Sequence, residues 1–217
     1  MRNLVLWLIP FFVAFQTAFL FAQSRDKQAS EILDEVISKT KSYKSMKLEF
    51  IYKMENPEAN INETTTGKAV VSDDSYRVEV AGQTIISDGK TLWTVISDAE
   101  EVQVNDVSEN DDVFTPTKLL TSYNEQYKSK LLPKVTSLHG KNVYGLELTP
   151  YQKKSYDRVH FFIEKDKMQL YQIEIFDRNG SKYTYQITKF ETNVQVNEKS
   201  FSFSEKEFPG FYIIDMR

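Results

Sequence analysis

Apolar and polar residues alternate along much of this 217-residue chain, and no other feature of the sequence limits the possible folds as strongly. Successive side chains of a β-strand point to opposite faces, so a two-residue period predicts strands with one apolar and one polar face. In the first run, Leu48, Phe50 and Tyr52 share a face. Five later runs repeat the pattern, at residues 76–80, 144–148, 159–163, 171–175 and 183–187.

Turn and helix signals separate these runs. Asp88-Gly89 and Asn179-Gly180 each stand between two runs and suit the positive φ angles of type I′ hairpin turns. An apolar stripe predicts an amphipathic helix over residues 26–41, and Pro116 begins a shorter helix over residues 116–127. The acidic segment 100–112 lies between strand runs and ends in a loop.

The order of elements, in which most strands are followed directly by another strand, predicts a mainly β (α+β) domain. We expect about eleven strands in a strongly bent antiparallel sheet or incomplete barrel. A barrel of about eight strands is filled by its own side chains, so about eleven enclose extra space, and a binding protein for an apolar ligand is one interpretation. A flattened sandwich without a cavity has the same periodicity, so the pattern alone leaves both open.

The first 22 residues have the composition of a secretory signal peptide. Arg2 supplies a positive charge, residues 4–21 are almost wholly apolar, and Ala22 offers a small residue for cleavage. An uncleaved signal anchor is the alternative, because about 18 apolar residues approach the length that spans a bilayer. We expect cleavage, export to the periplasm, and a single domain over residues 23–217.

Charge and cysteine content exclude several partners and chemistries. The net charge of −4 becomes −5 when Arg2 is removed with the leader, which disfavours nucleic acids and anionic membrane surfaces as partners. The chain has no cysteine, so disulfides, thiol nucleophiles and cysteine-based metal sites are excluded. An exported chain without disulfides fits a bacterial cell envelope.

The sequence offers no catalytic or metal-binding constellation. It has only two histidines, His139 in a predicted turn and His160 on the polar face of its run, and neither has a metal-ligand companion at a suitable spacing. The sequence also lacks a G-x-S-x-G elbow and a phosphate-binding glycine series. We therefore predict no enzyme activity, no catalytic or metal-binding residue and no cofactor.

Several segments resemble the LolA-like periplasmic carriers of outer-membrane lipoproteins. Residues 87–93, which read SDGKTLW, are similar to the hairpin motif of that family. Four further segments match in the family's order: Tyr76-Arg77-Val78-Glu79 a strand, residues 116–120 the mid-chain helix, Phe201-Ser202-Phe203 the C-terminal strand, and residues 208–217 the ending. The resemblance covers essentially the whole chain after the leader.

The resemblance implies an unclosed antiparallel barrel in which helices form a lid over an apolar cavity. Carriers of that family shelter lipoprotein acyl chains in the cavity. They receive lipoproteins from an inner-membrane ABC-transporter complex and pass them to the outer membrane, commonly through a receptor lipoprotein. We therefore expect a monomeric carrier whose partners are acylated lipoproteins, that ABC complex and an outer-membrane receptor.

One position departs from the family pattern. The family places an arginine shortly before the aromatic residue of the second strand, where it holds the lid closed. Ser72, or Asp73 in a register shifted by one, stands there in this chain. The lid must therefore be held differently.

The apolar strand faces and the resemblance together predict the residues that contact acyl chains. Core packing is the alternative role for residues on an apolar face, and for Trp93 the two roles are equally open. The predicted lipid-binding residues are Leu48, Phe50, Tyr76, Val78, Trp93, Leu119, Val159, Phe161, Ile173 and Tyr185.

Two other functions compete with the carrier. A LolA-fold module that senses lipid or lipoprotein and reports to a membrane partner has the same sequence features. It predicts a dedicated protein partner and no traffic defect on depletion. A small β-rich hydrolase would need a nucleophile and a base, and the sequence offers no such pair.

Overall fold

The computed structural model describes residues 27–107 and 126–217. The predicted leader and most of the predicted helix over residues 116–127 lie outside these ranges. Within them, helix α1 covers residues 27–41 and thirteen strands follow it. The strands are β1 (Met46–Asn56), β2 (Ile61–Ser72), β3 (Ser75–Val80), β4 (Gln83–Ser87), β5 (Thr91–Ile96), β6 (Glu101–Asp106), β7 (Tyr127–Leu131), β8 (Ser137–Leu138), β9 (Lys141–Pro150), β10 (Tyr156–Glu164), β11 (Gln169–Asp177), β12 (Lys182–Thr192) and β13 (Tyr212–Asp215).

Helix α1 forms where apolar residues recur at helical spacing. Ala29, Leu33 and Val36 are fully buried and Ile32 is nearly so. Spacings of three and four residues place these side chains on one stripe, which packs on the sheet. The predicted amphipathic helix is confirmed over residues 27–41. In the two described ranges, no helix combines the length and the apolar character needed to cross a membrane.

The strands form an open sheet with the order β13-β6-β5-β4-β3-β2-β1-β12-β11-β10-β9-β7, and β8 pairs with β9 beside this path. The paired strands are antiparallel except β13 and β6, which are parallel. Two meanders, β1 to β6 and β9 to β12, meet where β1 pairs with β12. The prediction of a mainly β chain built on an open, curved antiparallel sheet is confirmed.

Three strands lie where the sequence pattern predicted none. The centre of β2 is exposed and rich in threonine, so apolar alternation fails there, although β-branched residues favour strands. Strand β6 lies inside the acidic segment 100–112, where Val102 and Val104 are buried between polar neighbours. Strand β7 begins at Tyr127, where the shorter helix was expected to end. The described residues therefore contain thirteen strands instead of about eleven.

The predicted strand at Phe201-Ser202-Phe203 is wrong. A 3-10 helix covers Glu198–Phe201, and its cap Asn197 accepts a hydrogen bond from the Lys199 amide. The C-terminal strand is β13 instead, which pairs with β6.

Type I′ geometry was predicted for the wrong turns. In the turns at Asp88-Gly89 and Asn179-Gly180 only the glycines have positive φ. Asp88 Oδ1 accepts hydrogen bonds from the Lys90 and Thr91 amides, which holds a longer loop. Both central residues have positive φ at Ala81-Gly82, with 49° and 75°, and at His139-Gly140, with 48° and 77°. These two-residue turns join β3 to β4 and β8 to β9.

The two faces of the sheet differ in the segment that packs on them. The helix-side face carries α1, whose apolar stripe joins the largest core cluster. The tail-side face carries the C-terminal segment, residues 198–217. There the buried valines of β5 and β6 pack against three phenylalanines of that segment: Phe203, Phe208 and Phe211.

Candidate functional site

Eight of the ten predicted lipid-binding residues lie on the helix-side face. Phe161 pairs with Ile173, Ile173 with Tyr185, and Tyr185 with Tyr52, so side chains on β10, β11, β12 and β1 point the same way. The site therefore crosses the junction between the two meanders. The eight residues are Leu48, Phe50, Tyr76, Val78, Val159, Phe161, Ile173 and Tyr185.

Helix α1 covers one half of this face. Its stripe packs in a cluster with Val159, Phe161 and Ile173, all of which are buried. Ser30 Oγ of α1 lies 3.4 Å from Ser129 Oγ of β7. These three predicted residues therefore form part of the core beneath the helix.

The other half of the face carries a second apolar cluster, to which the described residues of α1 do not contribute. Leu48 pairs with Ala69, and Ala69 with Val78, so β1, β2 and β3 present apolar side chains side by side. Leu48, Val78 and Ile85 are only half-buried. They provide accessible apolar surface beside the buried residues of the cluster, which are Met46, Val71, Tyr76 and Leu92.

Three tyrosines lie together where β1 pairs with β12. The ring centroid of Tyr52 is 5.2 Å from that of Tyr185 and 6.4 Å from that of Tyr183. Phe50 lies 5.8 Å from Tyr185. Burial raises the pKa of Tyr185, and the neighbouring Tyr52 and Tyr183 raise it further. Tyr185 alone of the three was predicted to bind lipid, although the alternation places all three on apolar strand faces.

Trp93 lies on the tail-side face, apart from the other predicted residues. It pairs with Ile86, and Ile86 with Arg77, and these side chains point away from α1. Trp93 packs in the cluster that contains the phenylalanines of the C-terminal segment. The structure thus gives it a core-packing position, while Leu119 lies outside the described residues.

Ser72 and Asp73 stand where the family has its arginine. Ser72 Oγ donates a hydrogen bond of 3.3 Å to the Lys44 carbonyl, just after α1 ends. Asp73 has a φ of 49° in the turn between β2 and β3. The connection between α1 and β1 is therefore held by neutral hydrogen bonds at this point.

A cleft of about 570 Å³ opens across β1, β2 and β3. Phe50, Gly67 and Val80 contribute to its lining, together with charged side chains such as Lys47 and Glu49. Gly67 leaves room for the Phe50 ring, because a Cβ at position 67 would lie 2.4 Å from Phe50 Cζ. The ring and the glycine therefore fit together as a pair.

A cluster of charged side chains lies on the tail-side face of β7, β9, β10 and β11, and its basic and acidic groups pair with one another. His160 Nε2 lies 3.1 Å from Glu147 Oε2, and Lys130 Nζ lies 2.7 Å from Glu147 Oε1. Burial alone would raise the pKa of Glu147, but hydrogen bonds from Lys130 and His160 lower it below its ordinary value. His160 Nδ1 also lies 3.7 Å from Glu174 Oε2. Within residues 27–107 and 126–217, no group of three or more His, Cys, Asp or Glu could hold a metal ion.

A family model described as outer membrane lipoprotein carrier protein LolA matches residues 41–204. The match includes every described strand except β13. No curated protein sequence matched the chain.

Solved structures are similar to this chain at low sequence identity. An uncharacterized conserved protein from Thermus thermophilus is 11% identical, with 87% of this chain and 99% of that chain covered and a TM-score of 0.57. A putative outer membrane lipoprotein-sorting protein domain from Vibrio parahaemolyticus is 14% identical, with 81% and 97% covered and a TM-score of 0.48. The lipoprotein LppX of Mycobacterium tuberculosis is 14% identical, with 77% and 98% covered and a TM-score of 0.46.

Proposed function

The chain belongs to the family of the outer membrane lipoprotein carrier protein LolA, and from this premise we propose that it shuttles lipoproteins across the periplasm. In this proposal residues 1–22 are a cleaved signal peptide, and the acyl chains are sheltered against the helix-side face. The proposed partners are acylated lipoproteins, an inner-membrane ABC lipoprotein-releasing complex and an outer-membrane receptor lipoprotein. The family is one of carriers and not of enzymes.

The apolar half of the helix-side face that α1 leaves uncovered is the observation that carries this proposal. Val78 and Ile85 are half-buried there and pack against a buried apolar cluster. Leu48 is also half-buried and pairs with Ala69 on the neighbouring strand. Each methylene removed from water contributes about 0.8 kcal/mol, so an acyl chain with about a dozen sheltered methylenes gains about 10 kcal/mol. Such a surface favours an acyl chain over a polar ligand.

Release of the cargo requires a second state of the carrier. Val159, Phe161 and Ile173 are buried under α1, so an acyl chain reaches them only when the helix moves. A ligand shifts such an equilibrium by its different affinity for the two states. We propose that α1 acts as the lid, and that its apolar stripe and the acyl chain compete for the same side chains.

Site-specific photocrosslinking tests this proposal in cells. A benzoylphenylalanine at Val78 places the probe on the helix-side face, and a matched probe at Thr66, which is exposed on the tail-side face, serves as the control. We expect the Val78 probe to capture acylated proteins, identified by mass spectrometry, and the Thr66 probe to capture few. Equal capture by both probes, or no acylated protein at either, would contradict the proposal.

Depletion separates a carrier from a sensor of the same fold. If the chain is a carrier, lipoproteins accumulate at the inner membrane when it is depleted. Normal lipoprotein distribution, together with crosslinking to one dedicated membrane protein, would favour the sensor instead.

A further inference from the structure

We infer that Tyr52, Tyr183 and Tyr185 form a subsite that binds the ester carbonyl groups of the acyl cargo. This inference rests on the proposed function and specifies which part of the cargo the helix-side face recognises. The subsite lies where β1 pairs with β12, beside Phe50 and at one end of the apolar surface.

The three tyrosines are half-buried and differ in their hydrogen bonding from the four buried tyrosines. Tyr127 and Tyr156 hydrogen-bond to each other, Tyr76 bonds to Ser87, and the Tyr171 hydroxyl accepts a hydrogen bond of 3.0 Å from Gln186 Nε2. Over the described ranges, the hydroxyls of the three subsite tyrosines have no hydrogen-bond partner. The three side chains are half-buried, and none of their hydroxyls is among the buried atoms of these ranges that lack a partner, so a ligand can reach them.

The hydroxyls lie close enough to influence each other. The two neighbouring tyrosines raise the pKa of Tyr185 beyond the effect of burial, and Tyr183 acts in the same direction on Tyr52. Tyr52 and Tyr185 therefore stay protonated at neutral pH, and their hydroxyls can donate hydrogen bonds. Three unpaired donors at one place favour a ligand that brings several acceptors.

The charge around the subsite favours a neutral acceptor. Burial raises the pKa of Tyr52, and Tyr183 and the carboxylate of Glu63 raise it further, so a negative charge lies near the Tyr52 hydroxyl. A phosphate or free carboxylate would be repelled there, whereas an ester carbonyl accepts hydrogen bonds without bringing charge. The apolar side chains of Phe50 and Ile187 lie next to the tyrosines, where the first methylenes after the carbonyl would pack. Acyl esters occur both in the diacylglyceryl group of a lipoprotein and in a phospholipid.

Binding of matched lipid probes tests the inference. The probes are a diacylglyceryl-cysteinyl peptide, the same peptide with ether-linked chains that lack carbonyls, and phosphatidylethanolamine. The variant carries Tyr52→Phe, Tyr183→Phe and Tyr185→Phe, which keep the rings and remove the hydroxyls. Tyr212→Phe, at an exposed position, is the control.

We expect the wild type to bind the ester peptide more tightly than the ether peptide. The triple variant should lose about tenfold in affinity for the ester peptide and nothing for the ether peptide, since a net hydrogen bond is modest but several add. Tyr212→Phe should leave both affinities unchanged. If phosphatidylethanolamine shows the same hydroxyl dependence, the carbonyls recognised include those of phospholipids; if only the peptide shows it, the lipoprotein is the source.

Two results would overturn the inference. If the triple variant keeps the same ester-to-ether ratio as the wild type, the hydroxyls do not recognise carbonyls, although the carrier function stands. If the wild type binds none of the probes, the inference and the proposed function both fail. Circular dichroism of the triple variant checks that the sheet has formed.

Discussion

Arg77 on β3 fastens the C-terminal segment to the sheet through the carboxylate of Glu207. Arg77 Nη1 donates to Glu207 Oε2 at 3.1 Å, and Nη2 donates to Oε1. Arg77 Nε also donates to Glu79 Oε1 at 3.1 Å. The Arg77 side chain is only 14% exposed, so these bonds are partly shielded from water. The pair holds the segment where its phenylalanines cover the valines of β5 and β6.

We predict that Arg77→Ala loosens the C-terminal segment and lowers the free energy of unfolding by about 1–3 kcal/mol, as expected for lost hydrogen bonds between charged groups. Urea denaturation measures the loss, and hydrogen exchange of residues 198–217 measures the loosening. The control is Lys189→Ala, which removes more exposed ion pairs with Glu191 and Glu49 and should cost less. Unchanged exchange in the C-terminal segment of Arg77→Ala would contradict the role of the pair.

We predict that Gly67→Ala destabilises the protein through the Phe50 ring. A Cβ at position 67 would lie 2.4 Å from Phe50 Cζ and 2.9 Å from the Glu79 carbonyl oxygen, so the ring must move. Overpacking of this kind costs about 1–3 kcal/mol. The combination with Phe50→Leu should cost less than the sum of the two single changes, because the smaller side chain frees part of the space. If the losses in free energy of unfolding measured in urea were strictly additive, the Phe50 ring and Gly67 would be independent.

Acid should remove the stabilising contribution of Glu147. Hydrogen bonds from Lys130 and His160 hold the pKa of Glu147 below its ordinary value of 4.5. A carboxylate whose pKa is lowered in the folded state stabilises the protein above pH 4.5. This stabilisation is lost as the pH falls below that value. Glu147→Gln should therefore be less stable than the wild type at pH 7, by about 1–2 kcal/mol. The difference in the free energy of unfolding between Glu147→Gln and the wild type should narrow below pH 4.5.

Urea denaturation at pH 7 and pH 3.5 measures this difference. Glu31→Gln is the control, because Glu31 is exposed on α1 and its pair with Lys27 is long, at 3.7 Å. It should change the stability little at pH 7. A constant gap between Glu147→Gln and the wild type at both pH values would mean that ionisation of Glu147 does not matter.

The sequence predicted those parts of the fold in which local pattern and tertiary packing agree. Helix α1 and strands such as β10 have one face against the core, so their periodicity was visible. Strand β2 was missed because its exposed centre needs no apolar alternation, and β6 because the acidic residues on either side of Val102 and Val104 suggested a loop. The type I′ turns were misplaced because Asp88 bonds its own loop, whereas Ala81 takes a positive φ without any marker in the sequence.

The sequence predicted most of the residues of the candidate site but not how these residues are arranged across the sheet. Periodicity identified apolar faces strand by strand, yet it could not say which face of one strand meets which face of the next. Trp93 shows the difference: its register with Ile86 puts it on the tail-side face. The grouping of Tyr52 with Tyr183 depends on pairing between β1 and β12, which are far apart in the sequence.

The opposite placement of Trp93 and Val78 predicts how tryptophan fluorescence responds to lipid. In protein produced without residues 1–22, Trp93 is the only tryptophan, because the other is Trp7. It packs under the C-terminal segment, so brominated acyl chains bound on the helix-side face should quench it weakly. A Val78→Trp variant that also carries Trp93→Phe should be quenched strongly, because position 78 is half-buried in the apolar cluster on the helix-side face. Strong quenching of Trp93 together with weak quenching at position 78 would place the lipid on the tail-side face.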